Sequence, residues 1–223
     1  MHFQSCVSNL HSLHVLDLAE NRLTGTIPTI LGDLKAMAEE QNKNQYPLYG
    51  ISVHYYEESL SVNAKGQVLE YTKTLSRVVS IDLSHNNLSG DFPKEITNLF
   101  GLVVLNLSKN HISGQIPGSI WRLHQLSSFD LSSNKLSGTI PPSMSPLTFL
   151  SNLNLSNNNF SSKIPFMGQM TTFTEMAFAG NPNLCGAPLV TKCQDEGSDT
   201  GQSDVKDETE DNFIDQWFYM SVV

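Results

Sequence analysis

The residues able to do chemistry are few and scattered. Seven histidines and three cysteines are spread through 223 residues, and no His pairs with a Glu in the H-E-x-x-H spacing that holds zinc on one helix face. Serine is abundant, yet no G-x-S-x-G elbow occurs to present one as a nucleophile. The glycines form no phosphate-cradling loop, and carboxylates cluster only toward the end of the chain, away from any pocket-forming sequence. We therefore expect no catalytic residues, no metal centre, no cofactor and no enzyme activity.

Three other features carry chemistry. Cys185 and Cys193 stand close together while Cys6 stands apart. Joined, Cys185 and Cys193 would close a short loop and contribute about 2–3 kcal/mol through the chain entropy of the unfolded state. A metal site is the rival reading, but it needs further ligands and no other His or Cys lies nearby. Four Asn-x-Ser sequences, at Asn87, Asn106, Asn154 and Asn159, are candidate glycosylation sites, and beside a disulfide they favour the secretory route. Nine acids and one lysine follow Cys193, nearly the whole of the net charge of −9. The body is thus close to neutral, with no basic face for a phosphate backbone, which excludes nucleic acid as the expected partner.

What positions these groups is a repeat. Asn86, Asn110, Asn134 and Asn158 recur every 24 residues. Around them runs LxxLxxLxLxxNxLxGxIP, as in Leu99, Leu102, Leu105, Leu107, Asn110, Ile112, Gly114, Ile116 and Pro117. The final copy has Phe160 in a Leu column and Ser162 in the Gly column. Each L-x-L predicts a short strand with its aliphatic side chains inward and the residue between them outward. A single coil cannot bury enough apolar surface to stand alone, so stability must come from stacked neighbours. The Asn is expected to turn inward and satisfy the backbone of the bend, Gly to allow a positive φ, and Pro to fix the segment after it. The fold class predicted is an α/β-type solenoid, a right-handed coil with a parallel sheet on its concave face.

The period fails once. Asn21 to Asn86 is 65 residues. From about Lys35 to Thr74 the leucine columns vanish, and Ile51–Val62 and Gln67–Thr74 could form two strands joined by Asn63-Ala64-Lys65-Gly66. Long ordered loops often carry binding.

The Gly-x-Ile-Pro ending and the 24-residue period resemble the plant-specific leucine-rich repeats of receptor-like kinases and receptor-like proteins, the latter including the ethylene-inducing-xylanase-receptor class. The interruption, four repeats before the end, is similar to the island domain of that family, and Tyr56-x8-Lys65-Gly66 resembles its Tyr-x8-Lys-Gly motif. The resemblance implies incomplete repeats over 1–34, an island over 35–74, four repeats over 75–166, a C-terminal cap over 167–193 and an acidic juxtamembrane spacer over 194–216. Trp217-Phe218-Tyr219-Met220-Ser221-Val222-Val223 would open a membrane span that is too short here to cross a bilayer. The chain is then expected to be a fragment, beginning inside a coil, from the extracellular side of a plasma-membrane protein.

The resemblance implies a protein or peptide ligand, a co-receptor or adaptor kinase as partner, and a role in immune or elicitor perception. It singles out Tyr56, Lys65 and Gly66, and Tyr55 and Tyr71 join them as aromatic anchors. On the concave face the outward strand residues Asp17, Asp82 and Asp130 and the flanking His85 and Lys109 are the contact candidates. Asn106 and Asn154 share that face. The ectodomain of a receptor kinase and a secreted polygalacturonase-inhibitor-like protein remain as alternatives.

Overall fold

The computed structural model describes residues 10, 12–39, 60–64, 67–71 and 79–193. Five tripeptides, each centred on the first apolar residue of its L-x-L motif, form one parallel sheet: β1 (Val15–Asp17), β5 (Ser80–Asp82), β7 (Val104–Asn106), β9 (Ser128–Asp130) and β11 (Asn152–Asn154), adjacent in that order. Leu16, Ile81, Leu105, Phe129 and Leu153 stand in register. Each is the middle residue of its strand and points inward; Ile81, Leu105 and Phe129 are fully buried. After the bend the chain pairs again, as β2 (Thr24–Thr26), β6 (Asn87–Asp91) and β8 (His111–Ser113) in one sheet and β10 (Ser137–Gly138), β12 (Asn159–Lys163) and β13 (Asn183–Cys185) in another. Hydrogen bonds from Lys135 N to Ile112 O and from Ser137 N to Gly114 O carry the pairing across the join. The core is one continuous apolar column from Ile27 to Leu184.

The rest of each described coil turns on short helices. Beyond the four-residue α1 (Lys35–Ala38), the described helices are 3-10 turns, among them Thr29–Asp33, Lys94–Asn98 and Gly118–Arg122. The repeat prolines Pro28, Pro93, Pro117 and Pro141 cap these turns with φ of −66°, −74°, −69° and −65°, close to the ring-imposed value. A 3-10 helix rises about 2.0 Å per residue against 1.5 Å for an α-helix. A 24-residue coil can therefore close its long side with five residues, where an α-helix would need more.

The asparagines bind the coils to one another. Asn110 donates from Nδ2 to the carbonyls of Leu83 (3.0 Å), Leu107 (3.2 Å) and Ser108 (3.2 Å), and its Oδ1 accepts the Leu88 amide at 3.0 Å. Asn86, Asn134 and Asn158 repeat the pattern. Asn181 continues it: Oδ1 accepts from Phe160 N, and Nδ2 donates to the carbonyls of Leu155 and Phe178. The ladder thus enters the segment read from sequence as a cap. Its last coil is closed by β13 and the Cys185–Cys193 disulfide, with Cα atoms 5.1 Å apart.

The interruption leaves no gap in the stack. β1 pairs directly with β5, β2 with β6, and Asn86 reaches back to Leu18 O (2.9 Å) and Leu23 N (2.9 Å). Gly101 N donates to Met37 O at 2.9 Å. Between Glu39 and Val79 the described part is an antiparallel hairpin, β3 (Leu60–Ala64) with β4 (Gln67–Tyr71), in register from Leu60↔Tyr71 to Ala64↔Gln67.

The odd residue in the last copy keeps the shape of the pattern. Ser162 has φ 73°, like Gly90 (81°), Gly114 (76°) and Gly138 (77°). A side chain in this region costs about 1–2 kcal/mol, part of which glycine returns as unfolded-state entropy. Ser162→Gly is expected to raise the unfolding free energy by about 0.5–1 kcal/mol, read by urea denaturation; a loss of stability would contradict the strain.

Candidate binding surface

The outer residues of the five-stranded sheet form the most organised polar surface among the described residues. Their first column holds three acids and two amides, Asp17, Asp82, Asn106, Asp130 and Asn154, with each amide following an acid. Each turns one oxygen back onto its own strand end, Asp82 Oδ1 accepting Ser84 N at 2.9 Å and Asp130 Oδ1 accepting Ser132 N at 2.8 Å. The amides bridge to the preceding coil. Asn106 Nδ2 donates to Asp82 Oδ2 at 3.0 Å, and Asn154 Nδ2 to Asp130 Oδ2 at 3.4 Å. The column is less free than its outward direction in sequence implies. Asp82 is 4% exposed and Asn106 7%, because strands only about 4.8 Å apart crowd their outer side chains against one another. Burial pushes the Asp82 carboxyl above the usual aspartate range, and the Asp17 charge adds to the rise, against hydrogen bonds from Ser84 and Asn106 that lower it. Asp17, on the first described strand, is exposed, and Asp130 is half-buried.

The free chemistry lies one column further along. Glu20, His85, Lys109, Ser133 and Asn157 each precede a ladder asparagine, and all five are left-handed, with φ between 53° and 56°. This conformation lifts His85 and Lys109 clear of the sheet, and both are exposed. Nothing in sequence announces it, because the five side chains share no chemistry. His85 Nδ1 lies 4.0 Å from Glu20 Oε1, a pair open to solvent on both sides and correspondingly weak. Glu20, His85, Lys109, Asp130 and Asn154, with Ser84, Ser108 and Ser132 beneath, line an open depression of about 290 Å³. Small-molecule sites are mostly apolar and enclosed. A shallow, polar, hydrogen-bonding trough instead suits an extended backbone or a wet protein contact.

The other candidates fall as follows. Tyr55, Tyr56, Lys65 and Gly66 lie outside the described residues, and Tyr71 ends β4 opposite Leu60. Asn87 and Asn159 are exposed on β6 and β12. Among the exposed aromatics that the sequence pattern does not single out is Trp121, 54% exposed on the 3-10 turn Gly118–Arg122. Beside it, Arg122 stacks 4.8 Å over the Phe100 ring and donates to Asn98 Oδ1 at 3.2 Å. Among the described residues no group of His, Cys, Asp and Glu could hold a metal ion, and no helix is long and apolar enough to cross a membrane. The aromatic segment 217–223 lies outside them.

Repeating coils, asparagine ladder and Gly-x-Ile-Pro turns define a leucine-rich-repeat protein, and the chain matches that family's repeats over residues 12–34, 76–136 and 149–169. Within that class it is similar to plant receptor-like proteins. It is 32% identical over 93 residues to receptor-like protein 32 of Arabidopsis thaliana, a match covering 40% of this chain and 11% of the relative. To receptor-like protein Cf-9 of Solanum pimpinellifolium it is 38% identical over 93 residues, again 40% of this chain and 11% of the relative. The chain thus matches about a tenth of the length of these relatives. Among solved structures, the plant peptide hormone receptor RGFR1 in complex with RGF2 aligns at TM-score 0.50 and 30% identity, over 71% of this chain and 19% of that one. The Arabidopsis receptor kinase HAESA, in complex with the peptide hormone IDA and the co-receptor SERK1, aligns at TM-score 0.50 and 26% identity, over 80% of this chain and 27% of that one.

Proposed function

We propose that the chain is part of the extracellular portion of a plant plasma-membrane receptor-like protein, a non-catalytic module that binds a protein or peptide ligand and pairs with a co-receptor or adaptor kinase in immune or elicitor perception. The observation that carries this reading is the unbroken polar face of five paired strands, from which a long excursion leaves and to which it returns without disturbing a single register. Such a face offers directed hydrogen bonds but few anchors, and the tyrosines of the excursion supply what it lacks. The relatives named above support the same use, since HAESA was crystallised with both a peptide and a co-receptor.

The test is capture of co-receptor kinase ectodomains by the chain, measured by biolayer interferometry. Tyr56→Ala with Lys65→Ala is expected to weaken binding at least tenfold, about 1.4 kcal/mol. Unchanged affinity would remove the excursion from the interface. Absence of any binding by the unaltered chain would overturn the pairing itself.

A further inference from the structure

The four Asn-x-Ser sequences present their amides in two ways. Asn106 is 7% exposed, its Nδ2 committed to Asp82 and its Oδ1 accepting from Ser108 N (3.1 Å) and Ser108 Oγ (2.8 Å). Asn154 is held likewise by Asp130, Ser156 N (3.2 Å) and Ser156 Oγ (2.8 Å). In both, the serine that completes the sequence is turned onto its own asparagine, and the flanking strand lies about 4.8 Å away. A sugar ring on either Nδ2 would have to displace the column. Asn87 and Asn159 instead follow the ladder residues Asn86 and Asn158, and their side chains are exposed with no hydrogen bond to a described residue. Their backbones are fixed, Asn87 N to Leu23 O at 2.9 Å and Asn159 N to Leu136 O at 2.8 Å.

We propose that Asn87 and Asn159 carry N-linked glycans and that Asn106 and Asn154 do not. In the transfer, a lipid-linked pyrophosphate oligosaccharide gives up its sugar. The C1–O bond to pyrophosphate breaks, the C1–Nδ2 bond forms, the amide loses one proton, and the lipid pyrophosphate leaves. The site assignment rests on the extracellular placement proposed above. It also has a geometric consequence. Asn87, His111, Lys135 and Asn159 occupy one exposed column, so the two sugars stand three coils apart, about 14 Å at the strand spacing. They bracket His111 and Lys135 and close that edge to a protein partner, while the sheet face beside it stays clear.

The experiment is secretion of the full chain behind a cleavable leader from insect cells, followed by enzymatic deglycosylation in heavy-oxygen water and peptide mapping of the monomeric fraction. Asn87 and Asn159 are expected to be labelled, and Asn106 and Asn154 not. Label at Asn106 or Asn154 in that fraction overturns the assignment, as does its absence from Asn87 and Asn159. A measurement independent of folding runs beside it. Asn87→Gln with Asn159→Gln should move the whole-cell protein to the mobility of the deglycosylated chain, whereas Asn106→Gln with Asn154→Gln should leave mobility unchanged; the reverse overturns the proposal. Co-receptor capture is scored separately, so an unglycosylated chain that still binds sinks this inference alone, and a glycosylated chain that does not bind sinks only the proposed function.

Discussion

Asn110→Ala is expected to cost about 2–4 kcal/mol and to lower the melting temperature by roughly 10 °C. The loss can be traced group by group. The three carbonyls that Asn110 serves keep other donors: Leu83 O retains Asn86, Leu107 O retains Asn134, and Ser108 O retains His85 N. The Leu88 amide does not. Its acceptor is Asn110 Oδ1, and Leu88 is 6% exposed, so truncation strands a buried N–H at about 1–3 kcal/mol. The weakened carbonyl contacts supply the remainder. Asn110→Asp sharpens the test. It keeps the shape and an oxygen for Leu88 but turns a carboxylate oxygen toward three carbonyls, and it should be at least as damaging at neutral pH. Thermal unfolding followed by circular dichroism distinguishes the outcomes. An aspartate variant as stable as the parent would mean that the amide protons, and hence the links between coils, contribute little.

Phe129→Ala is the second large effect, about 3–5 kcal/mol. The ring is fully buried in β9, between Leu105 and Leu153 on the flanking strands. Its neighbours are held by the ladders on both sides and cannot collapse into the space, so the cavity persists. Met176→Ala, on a side chain 71% exposed, should stay within about 0.5 kcal/mol of the parent. Chemical denaturation of the pair reads the difference directly; equal midpoints would show that the column is not tightly packed.

The columns that face inward were legible in the sequence because one chemistry is demanded at each turn. Leucine, asparagine, glycine and proline return at fixed intervals, and the strands, the ladder and the capped turns follow from them. Features set by backbone conformation or by neighbours were not. The left-handed column runs Glu20, His85, Lys109, Ser133, Asn157, five unlike residues with no shared mark. Asn181 escaped notice because its coil is one residue short and begins from Phe178 rather than a leucine. The burial of Asp82 depends on Asn106 one coil away, which a strand read in isolation treats as outward and free. The 3-10 turns were hidden for a related reason: the pattern fixes where the chain must return, not how steeply it climbs.

The direct pairing of β1 with β5 and of β2 with β6 makes the stretch between Glu39 and Val79 a detachable cassette. Both of its ends emerge from, and return to, adjoining turns of one column, whose bonds close whether the detour is brief or long. Its content can therefore be exchanged, lengthened or redirected toward a new target while the mount beneath it is inherited unchanged.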